Sequence, residues 1–119
     1  MSHEAYRRTA ARTASPREAE YRAFAEATRR LIAAAERGRA DLEALAGAVH
    51  FNRALWGALA ADCADDKNGL PTETRAGVIA LSRWVARHSS DVMRARESVE
   101  PLIDVNRLIM EGLSGRSAA

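Results

Sequence analysis

Asp41 to Asp65 reads DLEALAGAVHFNRALWGALAADCAD, and the fold of the chain turns on this stretch. Leu42, Leu45, Val49, Asn52, Trp56, Leu59 and Cys63 recur at alternating steps of three and four, the seam of a helix that packs lengthwise on other helices. Phe51 and Leu55 fall outside that seam, on a second face flanked by Ala44, Ala48 and Ala58. A helix that is apolar round more than half its circumference is either central in a bundle or presents a groove to another molecule.

On the N-terminal side, Ser15-Pro16-Arg17-Glu18 is a helix start. Ser15 can cap free amides, Pro16 fits the first helical position and Glu18 completes a capping box. Tyr21, Phe24, Thr28, Leu31, Ile32 and Ala35 then form one apolar stripe, and Gly38 supplies the stop. Glu18 with Arg22, and Glu26 with Arg30, stand at the i, i+4 spacing of helix ion pairs. On the C-terminal side, Asp66-Lys67-Asn68-Gly69 is turn chemistry, and Leu70-Pro71-Thr72-Glu73 opens a third helix running to about Arg94. Its expected seam is Val78, Leu81, Val85, His88 and Val92, with Trp84 at the edge. Pro101 opens a short fourth helix with Leu102, Val105, Asn106, Ile109, Met110 and Leu113 on one face.

The expected fold is therefore all-α, a compact bundle of about four helices without β-sheet. Its expected core is Phe24, Leu31, Leu45, Val49, Trp56, Leu59, Leu81, Val85, Ile109 and Leu113. Residues 15–114 form the domain, 1–14 a flexible N-terminal segment that carries Tyr6 as its one large apolar side chain, and 115–119 a frayed tail. A chain of 119 residues makes one domain and can bury a core without staples, and a single cysteine allows no internal disulfide. Twenty-six alanines and few β-branched clusters agree with helices. The longest apolar run, Leu31 to Ala35, is far short of a membrane span, and no signal-peptide stretch opens the chain. Lone Cys63 fits a reducing cytoplasm.

The net charge of +2 is unevenly placed. Residues 1–40 hold nine Arg against five Glu, and residues 41–119 hold nine basic against eleven acidic side chains, so the basic excess is N-terminal.

No enzyme chemistry emerges. His50 and Cys63 lie about 20 Å apart along one helix and cannot share a metal. His50 reads as solvated, and His88 as a packed histidine with one satisfied nitrogen. His88-Ser89-Ser90-Asp91 holds the letters of a triad, but successive helical residues diverge by about 100° and cannot converge on one atom. With Gly69 at the sixth position of a calcium loop, Ala64 and Arg75 would stand where carboxylates are needed. No phosphate-cradling loop and no nucleophile elbow occurs. No catalytic residue, cofactor or metal ligand is expected.

One internal echo sets Phe51-Asn52-Arg53 beside Val105-Asn106-Arg107, each placing an Asn inside an apolar stripe. Asn52 and Asn106 either satisfy each other and fix register, or offer a hydrogen bond to a partner's backbone.

Several spelled-out motifs, in one order from about residue 5 to 113, resemble FlaF, the family of small flagellar biosynthesis regulators. They are Ala5-Tyr6, Ser15-Pro16-Arg17-Glu18, Phe51-Asn52-Arg53 with Leu55-Trp56, and Asn68-Gly69-Leu70-Pro71 with Arg75-Ala76. Leu102-Ile103-Asp104-Val105-Asn106-Arg107 with Ile109-Met110-Glu111-Gly112-Leu113 completes the set. Residues 32–48 and 86–99 match in character alone. The resemblance implies a helical, non-enzymatic protein needed for flagellin production. It further implies a link to flagellin synthesis and export, in opposition to FlbT, a repressor of flagellin translation.

Two mechanisms follow as expectations. In one, the bundle holds unexported flagellin by its amphipathic helical termini, with Phe51, Leu55, Asn52, Asn106 and Met110 as the partner-binding residues. In the other, the basic N-terminal third binds flagellin mRNA, against which stand the interleaved Glu residues and the presence there of Tyr6 and Tyr21 alone for stacking. A scaffold role in a homo-oligomer is a third, because the seam of the second helix serves a dimer as well as a core.

Overall fold

The computed structural model describes residues 16–114. Four α-helices follow one another: α1 (Pro16–Arg37), α2 (Leu42–Ala64), α3 (Thr72–Met93) and α4 (Glu100–Leu113), with a single 3-10 turn, Gly38–Ala40, between the first two. No strand occurs among the described residues. The expected cap at Ser15, the N-terminal segment 1–14 and the tail 115–119 lie outside them.

Local chemistry sets the boundaries. Gly38 ends α1 at φ +67°, in the left-handed region that a residue without a Cβ enters at no steric cost. Asp41 then caps α2, its side chain accepting from the Ala44 amide at 3.1 Å while pairing with Arg37 at 2.6 Å. Between α2 and α3, the Asp65 side chain accepts from the Lys67 amide and that of Asn68 from the Leu70 amide, and Gly69 takes φ +87°.

Helix α2 packs along α1 on one side and α3 on the other, α1 in turn carries α4, and α3 and α4 barely meet. The order in space is α3, α2, α1, α4, with α2 central as its seam requires. Phe24, Leu31, Leu45, Val49, Trp56 and Val85 are all buried, joined by Val78, Val92, Leu102, Ile103 and Val105. Phe24 meets Trp56 edge to face, ring centroids 5.3 Å apart. Leu59, Ile109 and Leu113 pack against this core while staying half-buried.

Three expectations are corrected. Leu81 is 37% exposed, because the inward line of α3 is Val78, Ser82, Val85, Ser89 and Val92. That line holds the same three-four rhythm with serine at alternate steps. Serine's small side chain lets α3 approach α2 closely, and the Ser82 hydroxyl donates to the Trp56 carbonyl at 3.2 Å. Leu42 and Tyr21, at 49% and 36%, stand one turn ahead of the points where their helices enter the core, at Leu45 and Phe24.

The C-terminal ends of α2 and α3 are closed by arginines from neighbouring segments. Arg39 donates to the carbonyls of Val92 and Met93 at 3.0 and 3.1 Å, and Arg75 to that of Cys63 at 2.7 Å. These cations meet the unpaired carbonyls and the negative pole of each helix end. Helix α3 also ends in a Schellman motif, with Arg96 N–H bonded to Asp91 O and Ala95 N–H to Val92 O. The residue in the left-handed position is Ala95, at φ +61°, where a Cβ is strained.

Truncating Trp56 to Ala should cost about 3–5 kcal/mol in urea denaturation, since a fully buried ring leaves a cavity. Ala95→Gly should act in the opposite direction, removing Cβ strain of roughly 1 kcal/mol and raising the thermal midpoint by a few degrees.

Candidate functional site

The two asparagines sit at the centre of the bundle, each 0% exposed. Asn106 Nδ2 donates to Asn52 Oδ1 at 2.7 Å and to Thr28 Oγ1 at 3.2 Å, and Asn106 Oδ1 accepts from Trp56 Nε1 at 2.8 Å. The Thr28 hydroxyl in turn donates to the Phe24 carbonyl at 2.7 Å. One amide thereby joins α1, α2 and α4. As partner-binding residues Asn52 and Asn106 are corrected: their amides face each other inside the protein, out of reach of another chain's backbone. Met110 is half-buried beside them, its sulfur 3.7 Å from Thr28 Oγ1.

Phe51 and Leu55 lie elsewhere on α2. With Leu59 they make a stripe four residues apart, and all three are half-buried. The Arg30 guanidinium lies 4.1 Å from the Phe51 ring centroid, a cation–π contact between α1 and α2. Arg30 and Arg29 both bond Glu26, at 2.8 and 2.6 Å, and these hydrogen bonds bring the Glu26 carboxyl down to about 2. The i, i+4 pair read from the sequence is thus present, with Arg29 as a second partner.

The stripe leads into a cleft of about 630 Å³ where α1 and α3 begin and α2 and α4 end. Leu59, Leu70, Val78, Ile109 and Leu113 give it apolar walls, and Arg17, Glu20 and Asp62 stand among them. Glu20 is half-buried, and burial, followed by the negative charge of Asp62, raises its carboxyl above the ordinary range against the pull of Arg17. Burial, Asp62 and Glu20 likewise push up the Cys63 thiol, with Arg75 opposing, so Cys63 stays a protonated, buried side chain rather than a nucleophile.

The sequence reading missed this cleft. Leu70 alone hinted at it, as an apolar side chain following a turn and belonging to no seam.

The histidines take the places expected of them. His50 is exposed, and buried His88 bonds the Ser98 carbonyl through Nε2 at 2.9 Å while stacking on Trp84 at 4.8 Å. Among the described residues no group of three or more His, Cys, Asp or Glu is placed to hold a metal ion. None of the described helices is long and apolar enough to cross a membrane.

The chain matches the family model of flagellar protein FlaF over residues 2–113, and it belongs to that family. No curated protein and no solved structure gives a significant match.

A carboxyl raised in the folded state destabilises the fold wherever it must ionise. The penalty is fully present above its folded value and vanishes once the unfolded chain is also protonated. Glu20→Gln should therefore raise the thermal midpoint at pH 7, and the gain should fade as the pH falls through the raised folded value and be gone below about 4. Parallel melts of the two proteins across that range measure it.

Proposed function

We propose that this FlaF protein promotes flagellin production in the cytoplasm by binding unexported flagellin as a chaperone, in opposition to the translational repressor FlbT, and without enzymatic chemistry or a cofactor. The stripe Phe51, Leu55 and Leu59 carries the reading. The seam of α2 is closed internally by Trp56 and the asparagine pair, yet this second line of large apolar side chains is left half-buried. A surface of that kind receives the apolar face of an amphipathic helix, the character of flagellin's termini. Arg30, held over Phe51, extends the face with a cation that Glu26 balances.

Direct binding of flagellin mRNA has less behind it. Among the described basic residues, Arg29, Arg30 and Arg37 are each engaged by a carboxylate, and Arg39 and Arg75 by helix carbonyls. Arg7, Arg8 and Arg12, which would serve that reading, lie outside the described residues.

Binding through the stripe predicts that Phe51→Ala or Leu55→Ala, with the circular dichroism spectrum unchanged, weakens flagellin binding by at least about fivefold, or roughly 1 kcal/mol. Labelled flagellin and flagellin leader RNA, each titrated at two salt concentrations, provide the measurement. Tight RNA binding that falls steeply with salt, ignores both substitutions and is lost with Arg7, Arg8 and Arg12 would transfer the function to the messenger.

A further inference from the structure

The cleft at the α2–α3 turn has the construction of a receptor. Its walls come from three helices and the turn: Leu59 from α2, Val78 from α3, Ile109 and Leu113 from α4, and Leu70 between α2 and α3. A volume of about 630 Å³ admits several side chains. The polar lining is Arg17, Glu20, Asp62, Asn68 and Thr74. Asn68 commits its amide to the turn, donating to Asp62 O at 3.1 Å and accepting from Leu70 N at 3.2 Å, and the Cys63 carbonyl is taken by Arg75. A repeating apolar surface suits these walls better than a compact polar ligand.

The charges specify the occupant further. Glu20 and Asp62, on α1 and α2, bring two carboxylates to one end of the cleft, with Arg17 the one cation in its described lining. Desolvation and mutual repulsion leave Glu20 short of positive charge. An incoming ammonium or guanidinium group would supply it, whereas a carboxylate would add a third negative charge. Gly112 lines the cleft from α4 and has nothing within 4 Å of the position where a Cβ would stand, so a larger side chain is accommodated there without a clash.

We infer that this cleft is the docking site for an amphipathic helix of a partner protein, with aliphatic side chains seated on Leu59, Val78, Ile109 and Leu113 and a Lys or Arg of that helix set against Glu20 and Asp62. The inference rests on the chaperone reading above and gives the partner helix a required chemistry: aliphatic on one face and basic on its flank. The partner's cation would offset the repulsion between Glu20 and Asp62.

The test uses the full chain with methyl-labelled Ile, Leu and Val, titrated with two synthetic amphipathic peptides that share one leucine face. One carries Arg on its flank and the other Glu at the same positions. Methyl shifts should centre on Leu59, Leu70, Val78, Ile109 and Leu113, and the Arg peptide should bind about tenfold more tightly. Gly112→Phe, which places a ring on the lining of the cleft, should abolish binding. Glu20→Gln with Asp62→Asn should erase the preference for Arg while leaving the melting temperature unchanged or raised.

Equal affinity for the two peptides, methyl shifts centred on Leu55 instead of the cleft, no binding of either peptide, or indifference to Gly112→Phe would each overturn the inference. Flagellin separates it from the chaperone reading. Flagellin binding that survives Gly112→Phe but fails with Phe51→Ala removes the cleft and keeps the chaperone. An Arg peptide seated in the cleft of a protein that ignores flagellin removes the chaperone reading and leaves a receptor for another basic helix.

Discussion

The amide of Asn106 holds the bundle in one arrangement. It accepts from an indole, donates to an amide and to a hydroxyl, and so meets α2 twice and α1 once from a position on α4. Hydrophobic contact alone tolerates sliding, since one aliphatic side chain replaces another at little cost. A polar network inside a dry core does not. Moving α4 by one residue would set Val105 or Arg107 against the indole N–H and leave a buried donor unpaired, at roughly 1–3 kcal/mol. Helix α4 needs such a device, because it has 14 residues, barely meets α3, and rests chiefly on α1.

The electrostatics follow the same economy. In a chain whose cations are almost all arginine, five of the described ones serve the fold directly, with Arg39 and Arg75 at helix ends, Arg37 on the cap residue Asp41, and Arg29 and Arg30 on Glu26. A guanidinium presents several donors in a fixed fork, and Arg39 reaches two carbonyls with one side chain. Glu20 and Asp62 stand close enough to repel each other, with Arg17 beside them, at the end of the molecule where the cleft lies.

What could be read in advance was whatever depends on near neighbours in the chain. The seam of α2, the stop at Gly38 and the turn at Asn68 and Gly69 all follow from spacing and from backbone rules. Leu81 misled because hydropathy ranks leucine above serine, whereas close packing between α2 and α3 favoured the smaller Ser82 with its bond to a carbonyl. The end of α3 lacked a glycine to announce it, since Ala95 takes the left-handed position itself. The arginine caps and the cleft join residues as distant in sequence as Arg39 and Val92, or Glu20 and Ile109. No local pattern carries such pairs. Phe51 and Leu55 were legible as a second face, but its continuation through Leu59 into the cleft appears once the helix ends have converged.

The two tryptophans occupy such different surroundings that the molecule carries its own optical labels. Trp56, fully buried with its N–H bonded, emits from a dry and rigid site shared by three helices. Trp84, half-exposed and stacked on His88, emits from the middle of α3 and is open to quenching by the imidazole and by solutes. Intrinsic fluorescence therefore resolves two places in one small domain: the blue component follows the integrity of the core, and the quenched component follows the packing of α3 where Ser98 holds its histidine.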